Sequence, residues 1–399
     1  MIRAGILRQL RDMWEVPRDL ARGRYPRFVT GGDLPRGQIP VFCFHSLEPI
    51  SFERKLTHLA RNGYVTLSLS EYLDVLGERR PAPERGCVLT FDDGRASVRT
   101  VGWPLLRKYG MRGIVFVVPG RVPSRQGPLP GTWDDVVEGR ADGQAILARE
   151  RGTEAFLSWE EIGELADSGL FDVESHTQTH GRIHVEPRVE GFMTPEARLG
   201  YAPLDIPLVR DGARDLFAHE LPLGTPLLAS APRLSGALRL FEDESWRARC
   251  VESVAAASAD FFERPGWERE LRRLADQQPI RGRRESPSER DRAIHDELAR
   301  PLEVIRERAG HAARAFCYPW HAVGENARAL VRQTGYSAAF WGKVMDVPIT
   351  PVGGDPFSIA RVGEDFVERL PGDGRISLAS VLRAKWRRRR PALMAGRLP

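Results

Sequence analysis

The chain reads as an α/β barrel of parallel strands joined by crossover helices and interrupted by one long insertion. Three observations predict it. Short apolar runs alternate with amphipathic stretches of helix length, the pattern of parallel strands and their crossovers. Several of those runs stop on chemistry-bearing residues, as barrel strands do at the carboxy-terminal face where catalytic groups gather. From Gly181 to about Glu289 the alternation breaks, with Pro187, Pro195, Pro203, Pro207, Pro222, Pro226, Pro232 and Pro265 interrupting it.

The first 16 residues place Ile2, Ile6, Leu7, Leu10, Met13 and Trp14 at helical spacing among Arg3, Arg8 and Arg11, and Pro17 ends the run. Such a basic amphipathic helix suits either a membrane surface or the protein's own surface. Residues 28–39 read as a Gly/Pro linker. The run from Ile39 to Phe44 is a strand ending on His45. Helices are predicted over 51–62 and 70–79, a strand over 87–92, a helix over 97–108 and a strand over 113–118. A helix over 158–168 and a strand over 170–174 continue the alternation. Within the insertion, 244–262 and 267–276 read as helices, and 281–287 as a polar, mobile stretch. A helix over 288–309 follows, with Pro301 expected to kink or split it. A strand over 313–318, a helix over 324–334 and a strand over 336–341 complete the pattern. The expected organisation is 1–37 basic segment and linker, 38–180 first part of the barrel, 181–289 insertion, 290–370 second part, and 371–399 basic tail.

With 399 residues, 42% of them apolar and 8% aromatic, the composition is that of a globular enzyme. No window approaches the roughly 18 consecutive apolar residues that span a bilayer. The amino terminus lacks an apolar stretch followed by a cleavage site, so export by the usual signal is not expected. The expected location is cytoplasmic, peripheral to the inner face of the membrane. Cys43, Cys87, Cys250 and Cys317 form no CxxC pair, which fits a reducing compartment. Cys43 and Cys87 read as core thiols, and Cys317 as a neighbour of the site without a catalytic role. A charge of +4 over residues 1–40 and +7 over 383–399 leaves −6 for the body, against a total of +5. Basic ends, including Lys385-Trp386-Arg387-Arg388-Arg389-Arg390, suit an anionic membrane surface or a solvated terminus. No nucleic-acid-binding signature accompanies them.

The candidate chemistry lies in two stretches. Val88-Leu89-Thr90-Phe91-Asp92-Asp93-Gly94 is an apolar run that stops on two carboxylates and a glycine. Asp-Asp-Gly also makes an ordinary turn. Adjacent like charges, however, call for a cation or hydrogen-bond donors. Phe171-Asp172-Val173-Glu174-Ser175-His176-Thr177-Gln178-Thr179-His180 ends in histidines four apart, a spacing that puts both on one face of a helical turn. One carboxylate and two imidazoles make an open divalent-metal site of the catalytic kind.

These stretches resemble the Thr-Phe-Asp-Asp-Gly and His-(Ser/Thr)-x-x-His motifs of the polysaccharide deacetylases, carbohydrate esterase family 4 or the NodB-homology group. The resemblance implies a deformed (β/α)7-type barrel, with Asp92 as catalytic base and Asp93, His176 and His180 as metal ligands. Zinc is the default occupant, with nickel or cobalt as alternatives. Arg314-Ala315-Phe316-Cys317-Tyr318-Pro319-Trp320-His321 resembles the family's Phe-x-Tyr-Pro-Tyr-Gly segment but departs from it at Trp320 and His321. It implies substrate or oxyanion contacts from Tyr318, Pro319, Trp320 and His321. No Leu-x-His motif stands near the carboxy terminus, where Ile359-Ala360-Arg361-Val362-Gly363 is found instead. His45 resembles the early histidine of circularly permuted members, which implies that it is the general acid; His321 is its rival. His184 is expected to be an exposed loop residue or a neighbour of the ligands, and His58, His219, His295 and His311 belong to scaffold or surface. The expected activity is removal of an N-acetyl group from an amino sugar in a polysaccharide or lipid-linked glycan. The rivals are a deformylase or esterase on a related sugar, and an inactive glycan-binding or scaffold protein.

Overall fold

The computed structural model describes residues 18–20, 22–342 and 347–395, of which 388–395 are described by backbone alone. The expected helix over 1–16 lies outside the described residues. Strands β1 (Val41–Phe44), β3 (Gly86–Phe91), β4 (Gly113–Val117), β5 (Phe171–Ser175), β12 (Ala315–Cys317), β13 (Ala338–Phe340) and β14 (Val362–Gly363) make a parallel sheet in the order β13-β12-β5-β4-β3-β1-β14. A two-residue strand, β2 (Val65–Thr66), pairs with the start of β3. Phe340 bridges Ile359, and Arg361 N–H donates to Gly342 O at 2.9 Å. The sheet therefore curls round until the segment entering β14 meets β13.

Helices α1 (Pro49–Arg61), α2 (Leu69–Leu76), α3 (Trp103–Lys108), α4 (Trp159–Asp167), α7 (Pro287–Ala309), α8 (Glu325–Gln333) and α9 (Leu378–Ala395) lie outside the sheet or follow it. Ser68, Ser158 and Ser286 each close a capping box with the glutamate three residues on, which fixes where α2, α4 and α7 begin. Pro301 sits inside α7 without splitting it. None of the described helices is long and apolar enough to cross a membrane.

Strand alternation decides what faces inward. Phe44, Phe91, Val115, Val117 and Val173 pack under the helices with Phe52, Leu105 and Ile162. Their neighbours Val41, Val88, Ile114, Phe116, Ala315, Cys317, Phe340 and Ile359 form a separate inner cluster. By the same period of two, Cys43, Thr90, Asp92, His176 and Arg361 share that inner face. The inner face thus carries Asp92 and His176 just beyond the strand ends, with Thr90 and Glu174 buried within the strands below them.

The stretch read as a linker is part of this packing: Phe28 and Val29 are fully buried, and the Phe28 ring meets Phe42 at 6.1 Å. The insertion is folded. Strand β6 (Arg182–Phe192) pairs antiparallel with β9 (Pro226–Pro232), β7 (Val209–Asp211) with β8 (Arg214–Leu216), and β10 (Leu240–Glu242) with β11 (Gly282–Arg284). The stretch expected to be mobile is therefore a paired strand, because Arg283 and Arg284 lie opposite Phe241 and Leu240. Helices α5 (Glu244–Ala255) and α6 (Trp267–Ala275) cover β6 and β9 through Phe192, Leu228, Trp246, Cys250 and Leu271, a core separate from the barrel's. Arg233 ties the two ends of the insertion together. Its N–H donates to Gly181 O at 2.9 Å, and its guanidinium holds the buried Glu285 carboxylate at 2.9 and 3.0 Å.

His184 is buried, which corrects its expected exposure. One ring nitrogen meets Glu242 Oε2 at 3.1 Å, and Nε2 accepts the Leu228 N–H at 3.2 Å. Those two bonds belong to the insertion, so His184 is a structural residue of that unit. His58 is scaffold, its Nε2 donating to Leu370 O at 3.2 Å.

Candidate metal centre

Asp92 and Asp93 follow β3 directly and diverge because their backbones differ. Asp92 keeps the inward direction of Val88 and Thr90. Asp93 adopts φ +69°, and Gly94 continues the turn at φ +64°, a backbone conformation that residues with a side chain rarely adopt. Among the described residues, six other than glycine have positive φ, and five of them are Asp93, Thr177, His180, Trp320 and His321. Left-handed backbone costs energy, most for a β-branched residue such as Thr177. Its concentration here marks a site held by its surroundings.

His176 and His180 converge by a route other than the one their spacing suggests. β5 ends at Ser175 and the next residues form a bent loop, not a helical turn. Thr177 at φ +67° and His180 at φ +53° fold that loop back, and Thr177 Oγ1 accepts the His180 N–H at 2.9 Å. Two neighbours pin it. Gly120 N–H donates to Gln178 O at 2.7 Å, an approach only glycine allows, since a Cβ there would stand 2.5 Å from that oxygen. From α7, the buried Glu297 accepts the Thr179 N–H at 2.9 Å and its hydroxyl at 2.6 Å. Glu297→Ala is expected to weaken divalent-metal retention by about 10–100-fold, the usual effect of losing a group that orients ligands. Equilibrium dialysis against zinc checks it, and unchanged affinity would refute the role.

The three donors fit a cation. His176 Nε2 and His180 Nε2 lie 3.5 and 3.6 Å from Asp93 Oδ1, and all three side chains are buried. Those separations are too long for good hydrogen bonds but near the roughly 3.4 Å between neighbouring donors around a tetrahedral ion bound at about 2.0–2.1 Å. His176 Nδ1 donates to Cys317 O at 2.9 Å, which leaves the Nε2 lone pair facing the cluster. Arg95 Nε and Nη2 both donate to Asp93 Oδ2, at 3.0 and 2.7 Å, and so leave Oδ1 free. Burial and the neighbouring His176 push His180 down to about 3, so its imidazole is neutral at pH 7.

Asp92 stands beside this cluster with a different partner. Arg361 Nη1 and Nη2 donate to its two oxygens at 2.6 and 2.7 Å, a bidentate pair whose side chains are 0% and 3% exposed. Arg361 is held in turn by Thr90 Oγ1 at 3.0 Å and Trp341 O at 2.6 Å. Burial alone would raise the Asp92 carboxyl, but the guanidinium outweighs it and holds the group well below the usual carboxylate range. The residue that secures Asp92 thus comes from the segment where a histidine motif was sought. The signal available in the sequence was a lone cation inside the apolar run Ile359-Ala360-Arg361-Val362-Gly363.

His45 lies at the mouth, its side chain 49% exposed and its Nε2 4.0 Å from Asp92 Oδ2. Trp320 also reaches the cluster, its ring 4.8 Å from that of His180. His321 is exposed and follows at φ +54°. Pro319 borders a small recess with Thr177 and Gly181. The Tyr318 ring is turned away, which corrects its grouping with the substrate contacts. Cys317 takes the inward direction, so the next side chain points outward and packs on Phe316 and Trp341 at 5.1 and 4.6 Å. The insertion supplies the rim. Tyr201 lies under the Arg95 guanidinium at 3.5 Å, Phe217 under Arg121 at 5.2 Å, and Arg182 over Trp320 at 5.4 Å. A separate cavity of about 590 Å³ between α1 and α9 contains none of these groups.

The model of one family, described as polysaccharide deacetylase, matches residues 79–196, a stretch that holds Asp92, Asp93, His176 and His180 and that is similar to that class of protein. Among curated proteins, the chain is similar to the poly-beta-1,6-N-acetyl-D-glucosamine N-deacetylase of Escherichia coli (strain K12), with 30% identity over 153 residues, 38% of this chain and 20% of that protein. The chain thus spans about a fifth of the length of that relative. Among solved structures, it is similar to a de-N-acetylase from Aggregatibacter actinomycetemcomitans, with 16% identity, 87% of this chain and 99% of that chain covered, and a TM-score of 0.48. It is also similar to the BpsB deacetylase domain from Bordetella bronchiseptica, with 16% identity, 83% and 98% coverage, and a TM-score of 0.48.

Proposed function

We propose that the chain is a metal-dependent hydrolase that removes an N-acetyl group from an amino sugar in a polysaccharide or lipid-linked glycan. The observation that carries this reading is the pairing of a three-donor cluster, Asp93, His176 and His180, with the adjacent carboxylate of Asp92. A divalent cation held by the three, zinc by donor type with nickel or cobalt as alternatives, would acidify water and polarise the acyl carbonyl. Asp92, kept ionised by Arg361, accepts the proton of the attacking water. His45 returns a proton to the leaving nitrogen in this reading, which its contact with solvent and its 4.0 Å distance from the Asp92 carboxylate support. His321 is its rival at the same mouth. Backbone N–H groups around Trp320, with Pro319 and His321, belong beside the acyl oxygen.

Asp92→Asn preserves shape and removes the proton acceptor. It is expected to lower acetate release from N-acetylated glycans by about 10²–10⁴-fold while metal stays bound. The measurement is acetate released from a panel of N-acetylated polysaccharides and lipid-linked sugars, with formylated and ester substrates alongside. Activity on only the latter would overturn the acetyl assignment, and metal binding without any release would favour a glycan-binding protein. The basic helix α9, with Trp386 47% exposed beside Arg387, supports a peripheral contact with an anionic membrane surface. Co-sedimentation with phosphatidylserine vesicles, weakened by salt, checks that contact.

A further inference from the structure

We propose that Cys43, His45 and Asp92 form a second site, for a thiophilic divalent cation, whose occupation shuts off the neighbouring chemistry. The thiol of Cys43 donates to Asp92 Oδ2 at 3.4 Å. His45 Nε2 lies 4.0 Å from the same oxygen. The three donor atoms lie within 4.8 Å of one another and share no residue with Asp93, His176 and His180. Around a tetrahedral ion bound at about 2.3 Å to sulfur and about 2.0–2.1 Å to nitrogen and oxygen, neighbouring donors stand roughly 3.4–3.7 Å apart. The cluster needs to contract by roughly an ångström at most, which rotation of the half-exposed His45 ring can supply.

Access selects Cys43 over the other thiol at this carboxylate. Cys43 is partly exposed, whereas Cys317 is fully buried. The Cys317 sulfur is already taken by Arg361 Nη2 at 3.1 Å; the same Nη2 donates to Asp92 Oδ2 at 2.7 Å, so a cation at Cys43 and His45 shares that carboxylate with the guanidinium. Imidazole, thiolate and carboxylate together favour zinc or cadmium over magnesium or calcium. As the sulfur–metal bond forms, the Cys43 proton leaves to solvent, so occupation weakens as pH falls. The bound ion takes the lone pair of His45 and an oxygen of Asp92. On the hydrolase reading, on which this consequence rests, both proton-transfer groups are then blocked.

The test is cadmium chloride titration of metal-free protein, read by near-ultraviolet thiolate-to-cadmium absorbance and by equilibrium dialysis, neither of which depends on turnover. Two ions are expected per chain, with the thiolate band accompanying one of them. His176→Ala should lose one ion and keep the band; Cys43→Ser should keep one ion and lose the band. In the wild type, cadmium should shield Cys43 from iodoacetamide, as mapped by mass spectrometry, so the result does not hang on a variant's folding. A band that persists in Cys43→Ser, or Cys43 alkylated equally fast with and without cadmium, would overturn the site. Turnover of Cys43→Ser as sensitive to excess cadmium as that of the wild type would overturn its regulatory consequence. Binding as described by a chain that releases no acyl group would sink the hydrolase reading alone.

Discussion

Arg361→Met is expected to lose about 3–5 kcal/mol of folding stability, because it leaves the Asp92 carboxylate buried without its partner. A solvated ion pair would be worth far less, but here both side chains are almost wholly enclosed. The change also reverses a pH dependence. In the wild type the Asp92 carboxyl is depressed below its ordinary value of 3.8, so the pair's contribution is present above that pH and is lost as pH falls through the folded value. In the variant, burial, the largest influence on this carboxyl, is opposed only by the neighbouring His176 and His45 and raises it. The folded state then holds a proton that the unfolded chain has released, and stability falls as pH rises. If Asp92 is the base as proposed, the acid limb of the pH–rate profile should move upward for the same reason, since its carboxyl is protonated until higher pH. Urea melts at several pH values and a kcat/KM profile measure both. An acid limb that stays put would show that Asp92 is not the group titrating there.

The other large effect is expected at Asp93. Asp93→Ala should abolish metal retention, well beyond the roughly 10–100-fold loss assigned to a supporting residue such as Glu297. The reason is a change in the sign of the local charge. With the carboxylate present, its two oxygens face Arg95 on one side and two imidazoles on the other. Without it, the Arg95 guanidinium confronts the imidazoles directly, and a cation entering the cluster meets a positive charge instead of a negative one. His176→Ala removes a donor but leaves the charge, so it should retain more residual affinity than Asp93→Ala. Dialysis against zinc with elemental analysis ranks the two. Equal retention by wild type and Asp93→Ala would remove Asp93 from the ligand set.

Much of this site was legible because strands that end in charge are unusual. Val88 to Phe91 is wholly apolar and the next two residues are not, so position and polarity together pointed to a strand end. What could not be read was any feature that depends on long-range pairing. Arg361 meets Asp92 from just before β14, two places along the sheet from β3 but 269 residues along the chain, and a single cation in a short apolar run looks the same whether it faces water or a carboxylate. The histidine pair shows a different limit. Spacing of four suggests a helical turn, but the observed loop is built from left-handed residues, which leave no periodicity to detect. His184 was misplaced because Glu186, Pro187 and Arg188 disguise β6 as a loop, and its partner Glu242 lies on another strand of the insertion. Tyr318 was misassigned by one residue of alternation, since its neighbour Cys317 faces inward in its place.

The clasp at Arg233 has a consequence for how the molecule can be divided. Because one residue bonds both Gly181 and Glu285, the intervening chain leaves and rejoins the barrel within the reach of a single arginine. The entropy of closing a loop grows only with the logarithm of its length, about 0.6 kcal/mol per doubling. A short turn could therefore span the gap, and grafts from a relative would meet the same narrow neck. The rim groups Arg182, Tyr201 and Phe217 would leave with the excised piece, while Asp92, Asp93, His176, His180 and Arg361 would stay. The candidate metal centre and the rim above it thus sit on opposite sides of a single seam, and exchanging one without the other becomes a matter of cutting there.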